Sequence, residues 1–174
     1  MTHVSLRRAL PADAPALAAL GAATFTETFG HLYPPADLQA FLASSHSRDS
    51  WVSRLTDNQC AVWVATVADE SLIGFISAGA CKLPVVNRES TAGEVRQLYV
   101  LSPYQNLQLG SRLMDAGLQW LQVEGYAALY VGVWSENNGA QRFYQRYGFH
   151  KVAEYGFAVG NTVDREFILQ LRVG

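Results

Sequence analysis

The sequence predicts a mixed α/β domain built on a largely antiparallel sheet with helices on both faces. Three stretches carry that expectation. Residues 61–67 (AVWVATV) and 72–78 (LIGFISA) are apolar, β-branched runs joined through Asp69-Glu70-Ser71, the pattern of a hairpin. Residues 98–111 (LYVLSPYQNLQLGS) read as a strand, a Ser102-Pro103 turn and a loop opening a helix near Gly110. Gly160-Asn161 separates two further strand-like runs, 149–156 and 165–171, so the chain closes on a second hairpin. At 174 residues the chain is long enough to bury one proper core, and a single domain over 1–174 is expected.

In chain order, residues 4–7 alternate as a short strand. Asp13 is placed to cap a helix over 14–23, with Pro15 near its first position, and Leu17, Leu20 and Ala23 recur at helical spacing. Residues 24–31 (TFTETFGH) are aromatic and hydroxyl-rich. They read either as an elbow between two short helices, suited to a substrate wall, or as a helix continuing with Phe25 and Phe29 four apart on its core face. Tyr33-Pro34-Pro35 interrupts the chain, Asp37 caps a second helix over 38–44, and 47–55 extends the helical region. After the first hairpin, residues 83–92 read as a loop and 93–100 as a strand. A helix over 111–123, a strand over 128–133 and a helix over 139–147 follow, the last ended by Gly148 as a C′ glycine. The order is β-α-α-β-β-β-α-β-α-β-β.

Composition narrows the class. An apolar fraction of 49% with 16% charged residues is that of a globular protein, and a net charge of −2 carries no electrostatic footprint for nucleic acid. No apolar run approaches the length of a membrane span, and the start of the chain, with Arg7, Arg8, Pro11 and Asp13, does not read as a signal peptide. Cys60 and Cys81 have no CxxC or metal-like spacing and read as buried thiols, so no metal site is expected. A soluble cytoplasmic enzyme or binding domain remains.

The stretch 98–111 gives chemistry to that class. A strand delivered into the free amides of a helix N-terminus holds an anion, because the unpaired N–H groups and the helix dipole point the same way. The surrounding motifs resemble the GNAT superfamily of acetyl-CoA-dependent N-acetyltransferases over essentially the whole chain. Residues 94–100 (EVRQLYV) look like its central strand, and 104–111 (YQNLQLGS) look like its Q/R-x-x-G-x-G/A pyrophosphate loop. Residues 134–149 (WSENNGAQRFYQRYGF) look like its N-x-x-A-x-x-F-Y-x-x-x-G-F segment, and the hairpin ending in Ile73-Gly74-Phe75 fits as well. Gln108 departs from the pattern, standing where the family usually has its first glycine. It is accommodated there if its φ is negative, with its amide still donating to phosphate; the alternative is weaker coenzyme binding.

The resemblance implies a GNAT fold, a mixed, mostly antiparallel sheet splayed at the acetyl-CoA site. It also implies roles. The backbone of Leu98, Tyr99 and Val100 pairs with the pantetheine arm. Gln105, in place of the frequent arginine, and Asn106, Leu107, Gln108, Leu109, Gly110 and Ser111 surround the pyrophosphate. Asn137 hydrogen-bonds the coenzyme arm, and Tyr144 contacts the coenzyme and serves as general acid. Glu94 is the candidate general base; strict alternation puts it on the face of Leu98. Glu27, Phe29, Tyr33 and Trp134 are candidate acceptor-pocket residues, and His31, His46 and His150 are rival bases without supporting spacing. Within the superfamily, residues 24–30 and 38–42 and the ending 157–160 look like bacterial polyamine acetyltransferases. The implied acceptor is a small-molecule amine, taken without metal, nucleic acid or membrane, and many relatives are homodimers. A protein N-terminus, an amino acid or an antibiotic amine is the alternative acceptor. A non-catalytic acyl-CoA-binding module is the alternative class.

Overall fold

The computed structural model describes residues 3–174. Seven strands, β1 (Ser5–Arg8), β2 (Cys60–Thr66), β3 (Leu72–Ala80), β4 (Ala92–Val100), β5 (Ala128–Trp134), β6 (His150–Val159) and β7 (Thr162–Arg172), form one sheet in the order β1-β2-β3-β4-β5-β7-β6. Five helices accompany them: α1 (Ala14–Phe29), α2 (Pro35–Ser45), α3 (Arg48–Thr56), α4 (Leu109–Val123) and α5 (Asn138–Arg146). Every neighbouring pair is antiparallel except β4 and β5. That is the mixed, mostly antiparallel sheet expected.

Helices cover both faces. Leu113, Met114 and Leu121 of α4 pack on Ile76, Val95, Leu129 and Val131, while Leu17 and Leu20 of α1 and Trp51 of α3 pack on Val62, Val64 and Phe75 opposite. The α4 contact is close enough that a Cβ at Gly117 would fall 2.6 Å from the Ile76 side chain. Gly148, at φ +93°, ends α5 in the left-handed region, where a side chain is costly. Among the described residues no helix is long and apolar enough to cross a membrane.

In the N-terminal third the continuing helix is the reading that holds for 24–29, and three other expectations fail. α1 does not stop at Ala23: the Thr24 and Thr28 hydroxyls donate to the carbonyls of Leu20 and Thr24, at 2.9 and 3.0 Å, so the hydroxyl-rich run is satisfied inside the helix. Phe25 and Phe29 therefore lie one turn apart, their rings 5.1 Å centre to centre. Asp13 does not cap α1. Its carboxylate accepts two hydrogen bonds from Arg7, at 2.8 and 2.9 Å, and one from the Leu10 N–H, and the Arg7 pairing holds its pKa below the usual range. Asp37 does not cap α2 either: Pro34 stands at that position. Residues 48–56 form a separate helix, because Ser47 accepts the Ser50 N–H at 3.1 Å and caps it.

Candidate active site

The site begins where the sheet opens. The parallel pairing of β4 with β5 covers Ala92–Ala128, Gly93–Leu129 and Glu94–Tyr130 and then stops. Beyond it, β4 keeps β3 and β5 keeps β7, so their facing edges are unpaired. A cavity of about 310 Å³ lies there, walled by both strands, α1, α2, α5 and the C-terminal hairpin.

Glu94 enters that cavity on an unexpected face. Ser77 pairs with Gln97 and Ala78 with Val95, which leaves Arg96 as the extra residue of a β-bulge. The bulge reverses the alternation: Val95, Leu98 and Val100 all join the core under α4, whereas Tyr99 packs with the opposite cluster. Strict alternation from Glu94 to Leu98 thus fails, and Glu94 shares its face with Tyr99. Glu94 is 7% exposed, and its Oε2 accepts the Lys82 N–H at 2.7 Å. Burial pushes its pKa up, against the pull of that hydrogen bond and of the Arg96 guanidinium.

Across the cavity α5 contributes Tyr144 and Asn137. Tyr144 is buried, which raises its pKa, and among the described residues nothing hydrogen-bonds its hydroxyl. Asn137 caps α5, its Oδ1 accepting the Ala140 N–H at 3.1 Å; its side-chain NH₂ has no such engagement.

The loop after β4 is an array of free donors. Gln105 donates its backbone N–H to Ser102, and the next amide with a protein acceptor is that of Arg112, which donates to Gln108. Among the described residues no N–H from 106 through 111 has a partner. Asn106 and Gln108 both lie in the left-handed region, at φ +66° and +59°, so Gln108 does not have the negative φ expected of it. Alternating backbone hand of this kind turns successive N–H groups inward into an anion-binding nest. A Cβ added to Gly110 would touch only the Phe143 ring, at 3.9 Å, so no protein group requires a glycine there. The Gln105 side chain turns back and donates to the Val100 carbonyl at 3.0 Å, tying the loop to the strand end.

Phe29, Tyr33 and Trp134 line the cavity. Glu27 does not: on the far side of α1 from Phe25 and Phe29, it is exposed and accepts the Ser102 hydroxyl at 2.9 Å. Two carboxylates absent from the sequence reading are there instead. Asp164 accepts the Tyr33 hydroxyl, and Glu166 accepts that of Tyr155 at 2.8 Å, with burial raising the Glu166 pKa. Their spacing of two along a strand was the available signal, since it places both on one face. Arg54, Arg96 and His46 also line the cavity; burial and the nearby Arg54 charge bring the His46 pKa down to about 4, so it is neutral.

The profile of the acetyltransferase (GNAT) family matches residues 22–149. The chain belongs to that family. It is 24% identical to an uncharacterized N-acetyltransferase in the pepI 3′ region of Lactobacillus delbrueckii subsp. lactis, covering 98% of both chains. It is 29% identical to the uncharacterized N-acetyltransferase YuaI of Bacillus subtilis, covering 91% of this chain and 87% of that one. Its fold is similar to that of the PaiA N-acetyltransferase of Thermoplasma acidophilum, solved in complex with coenzyme A, with a TM-score of 0.78 at 18% identity over 98% of this chain and 99% of the other. This GNAT chain is therefore an N-acetyltransferase by family, and the geometry above bears on its co-substrate and acceptor.

Proposed function

We propose that the chain transfers acetyl from acetyl-CoA directly to a primary amine of a small molecule. One observation carries the reading: β4 carries in order a buried carboxylate at the cavity, an edge that β5 leaves unpaired and, past its end, a loop of free amides. The residues fit the coenzyme. Free N–H groups from 106 to 111 suit a pyrophosphate, and the open space at Gly110 admits one to the backbone. The edge of Leu98, Tyr99 and Val100, which β5 leaves unpaired, suits the amide-bearing pantetheine arm, and Asn137 lines the same cavity as Leu98 and Tyr99. That a protein of the same fold was solved with coenzyme A supports the same assignment.

Acetyl-CoA supplies an activated acyl carbon, and the chain's own groups handle the protons. Glu94, its basicity raised by burial, takes the ammonium proton directly or through water and frees the nitrogen lone pair. A backbone N–H of residues 98–100 polarises the carbonyl as the nitrogen attacks. Tyr144, protonated at neutral pH, donates to the departing sulfur as the C–S bond breaks. Neither cysteine competes as a nucleophile, since Cys60 and Cys81 lie in core clusters. Thiol release measured across a panel of amines tests the reading. If coenzyme binds and no amine stimulates release, the chain is a coenzyme-binding module instead.

A further inference from the structure

We infer that the acceptor is an amine that also bears a carboxylate, its ammonium held at the Glu94, Asp164 and Glu166 wall of the cavity and its carboxylate at Arg54 and Arg96. The inference rests on the transfer reading above and names its substrate class. Charged groups of both signs line the cavity. Glu94 comes from β4, and Asp164 and Glu166 from β7, whereas Arg54 comes from α3 and Arg96 from the β4 bulge.

The guanidinium groups are the decisive feature. Both are partly buried, and among the described residues neither has a carboxylate within 4.0 Å. Their protein partners are neutral: Arg54 lies over the Trp51 ring, 4.5 Å from its centre, and donates to the Gln97 side-chain oxygen at 3.0 Å and to the Ser45 carbonyl, and Arg96 donates to the Ala80 carbonyl at 2.7 Å. The Arg96 Nε is buried with no acceptor among the described residues. Charges withdrawn from water are normally paired; Glu94 feels the Arg96 charge but makes no ion pair with it, so among the described residues neither guanidinium has a contacting counter-ion. His46, the other titratable group at that end, is neutral and offers no compensation. An anion in the cavity supplies what the protein omits, and guanidinium forks are well shaped to a carboxylate.

The carboxylates select the other end of the same molecule. Asp164 and Glu166 each accept one tyrosine hydroxyl, which holds the carboxylates in place and leaves lone pairs for an ammonium. Trp134, Phe29 and Tyr33 add aromatic surface beside them. A simple alkylamine satisfies this wall and leaves the arginines unpaired. A polyamine satisfies it and carries a second cation towards them, which like-charge repulsion opposes.

The test is thiol release from acetyl-CoA by the intact protein with glycine, 3-aminopropanoate, 4-aminobutanoate, 6-aminohexanoate, butylamine, 1,4-diaminobutane and spermidine. The best amino-carboxylate is expected to exceed butylamine at least tenfold in kcat/KM, and to lose that advantage when its carboxylate is amidated. Arg54→Gln and Arg96→Gln should each shrink the ratio about tenfold, through KM rather than kcat. Because the wild-type comparison needs no variant, a misfolded substitution leaves the question decidable. If 1,4-diaminobutane or spermidine outperforms every amino-carboxylate, or amidation has no effect, the substrate class is wrong while acetyl transfer stands. If no amine stimulates release although coenzyme binds, both fall together.

Discussion

Replacing Gly110 by alanine separates what the fold needs from what the coenzyme needs. Gly110 lies in the first turn of α4 and has no positive φ, so the backbone accommodates a side chain. The new methyl would meet Phe143 at 3.9 and 4.0 Å, an ordinary van der Waals distance, and displace nothing. Lowering the entropy of the unfolded chain at such a site stabilises by about 0.4–1 kcal/mol. For a chain of this length that corresponds to a rise in Tm of about 1–4 °C. Coenzyme affinity should move the other way. The space the methyl fills faces α5 beside the free amides, and losing one or two charge-assisted hydrogen bonds of about 1.5–3 kcal/mol in total weakens binding by about ten- to a hundredfold. Thermal unfolding monitored by circular dichroism and titration calorimetry with coenzyme A measure the two effects on the same preparation. A variant that is more stable and binds coenzyme within twofold of wild type would remove Gly110 from the pyrophosphate site. One that unfolds several degrees earlier would show that the packing between α4 and α5 has been misread.

Gln108→Gly relieves a left-handed residue whose exposed side chain makes no hydrogen bond among the described residues. The usual penalty of about 1–2 kcal/mol for that conformation, less about 0.5–1 kcal/mol for glycine's own entropy, leaves a stabilisation near 0.5 kcal/mol. Coenzyme affinity should hold within a few-fold, and a large loss in calorimetry would mean that the Gln108 side chain itself contacts the ligand. Glu94→Gln should lower kcat by about a hundredfold or more and abolish the acidic limb of the pH–rate profile, which in the wild type lies above the ordinary carboxylate pKa. A profile that keeps its limb assigns the base elsewhere. The same substitution should stabilise the fold at neutral pH. With a folded pKa raised by burial, the group favours folding below its unfolded pKa and loses that contribution as pH rises through the folded value, so the gain in Tm should shrink as the pH falls through the raised folded pKa and be gone below about 4.3. Tyr144→Phe should cost at least tenfold in kcat at neutral pH with little change in Tm, since its hydroxyl bonds to no other described group; an unchanged rate at neutral and alkaline pH dismisses it as the acid.

Local signals carried most of the element order. The hairpin pattern of 61–78, the Gly160-Asn161 turn and the C′ glycine at 148 depend on near neighbours, and each is present in the structure. The helical reach of 24–29 was hidden because threonine hydroxyls compete with helix in isolation, and only their back-bonding together with Phe25 and Phe29 burial settles the matter. Asp13 shows the same limit, since its partner Arg7 lies across a turn whose geometry the tertiary fold creates.

The sequence by itself determined the sheet-and-helix order, the strand that feeds the loop before α4 and the family resemblance, because these are written in contiguous runs and fixed spacings. Tertiary structure alone decided which face Glu94 occupies. A single bulged residue, Arg96, inverts the alternation that period-two reasoning relies on, and its cause lies in pairing with β3. It also decided which charged residues share the cavity. Asp164, Glu166, Arg54 and Arg96 come from segments far apart in the chain and meet only because β5 leaves β4 after Glu94, so no spacing within one segment could have brought them together.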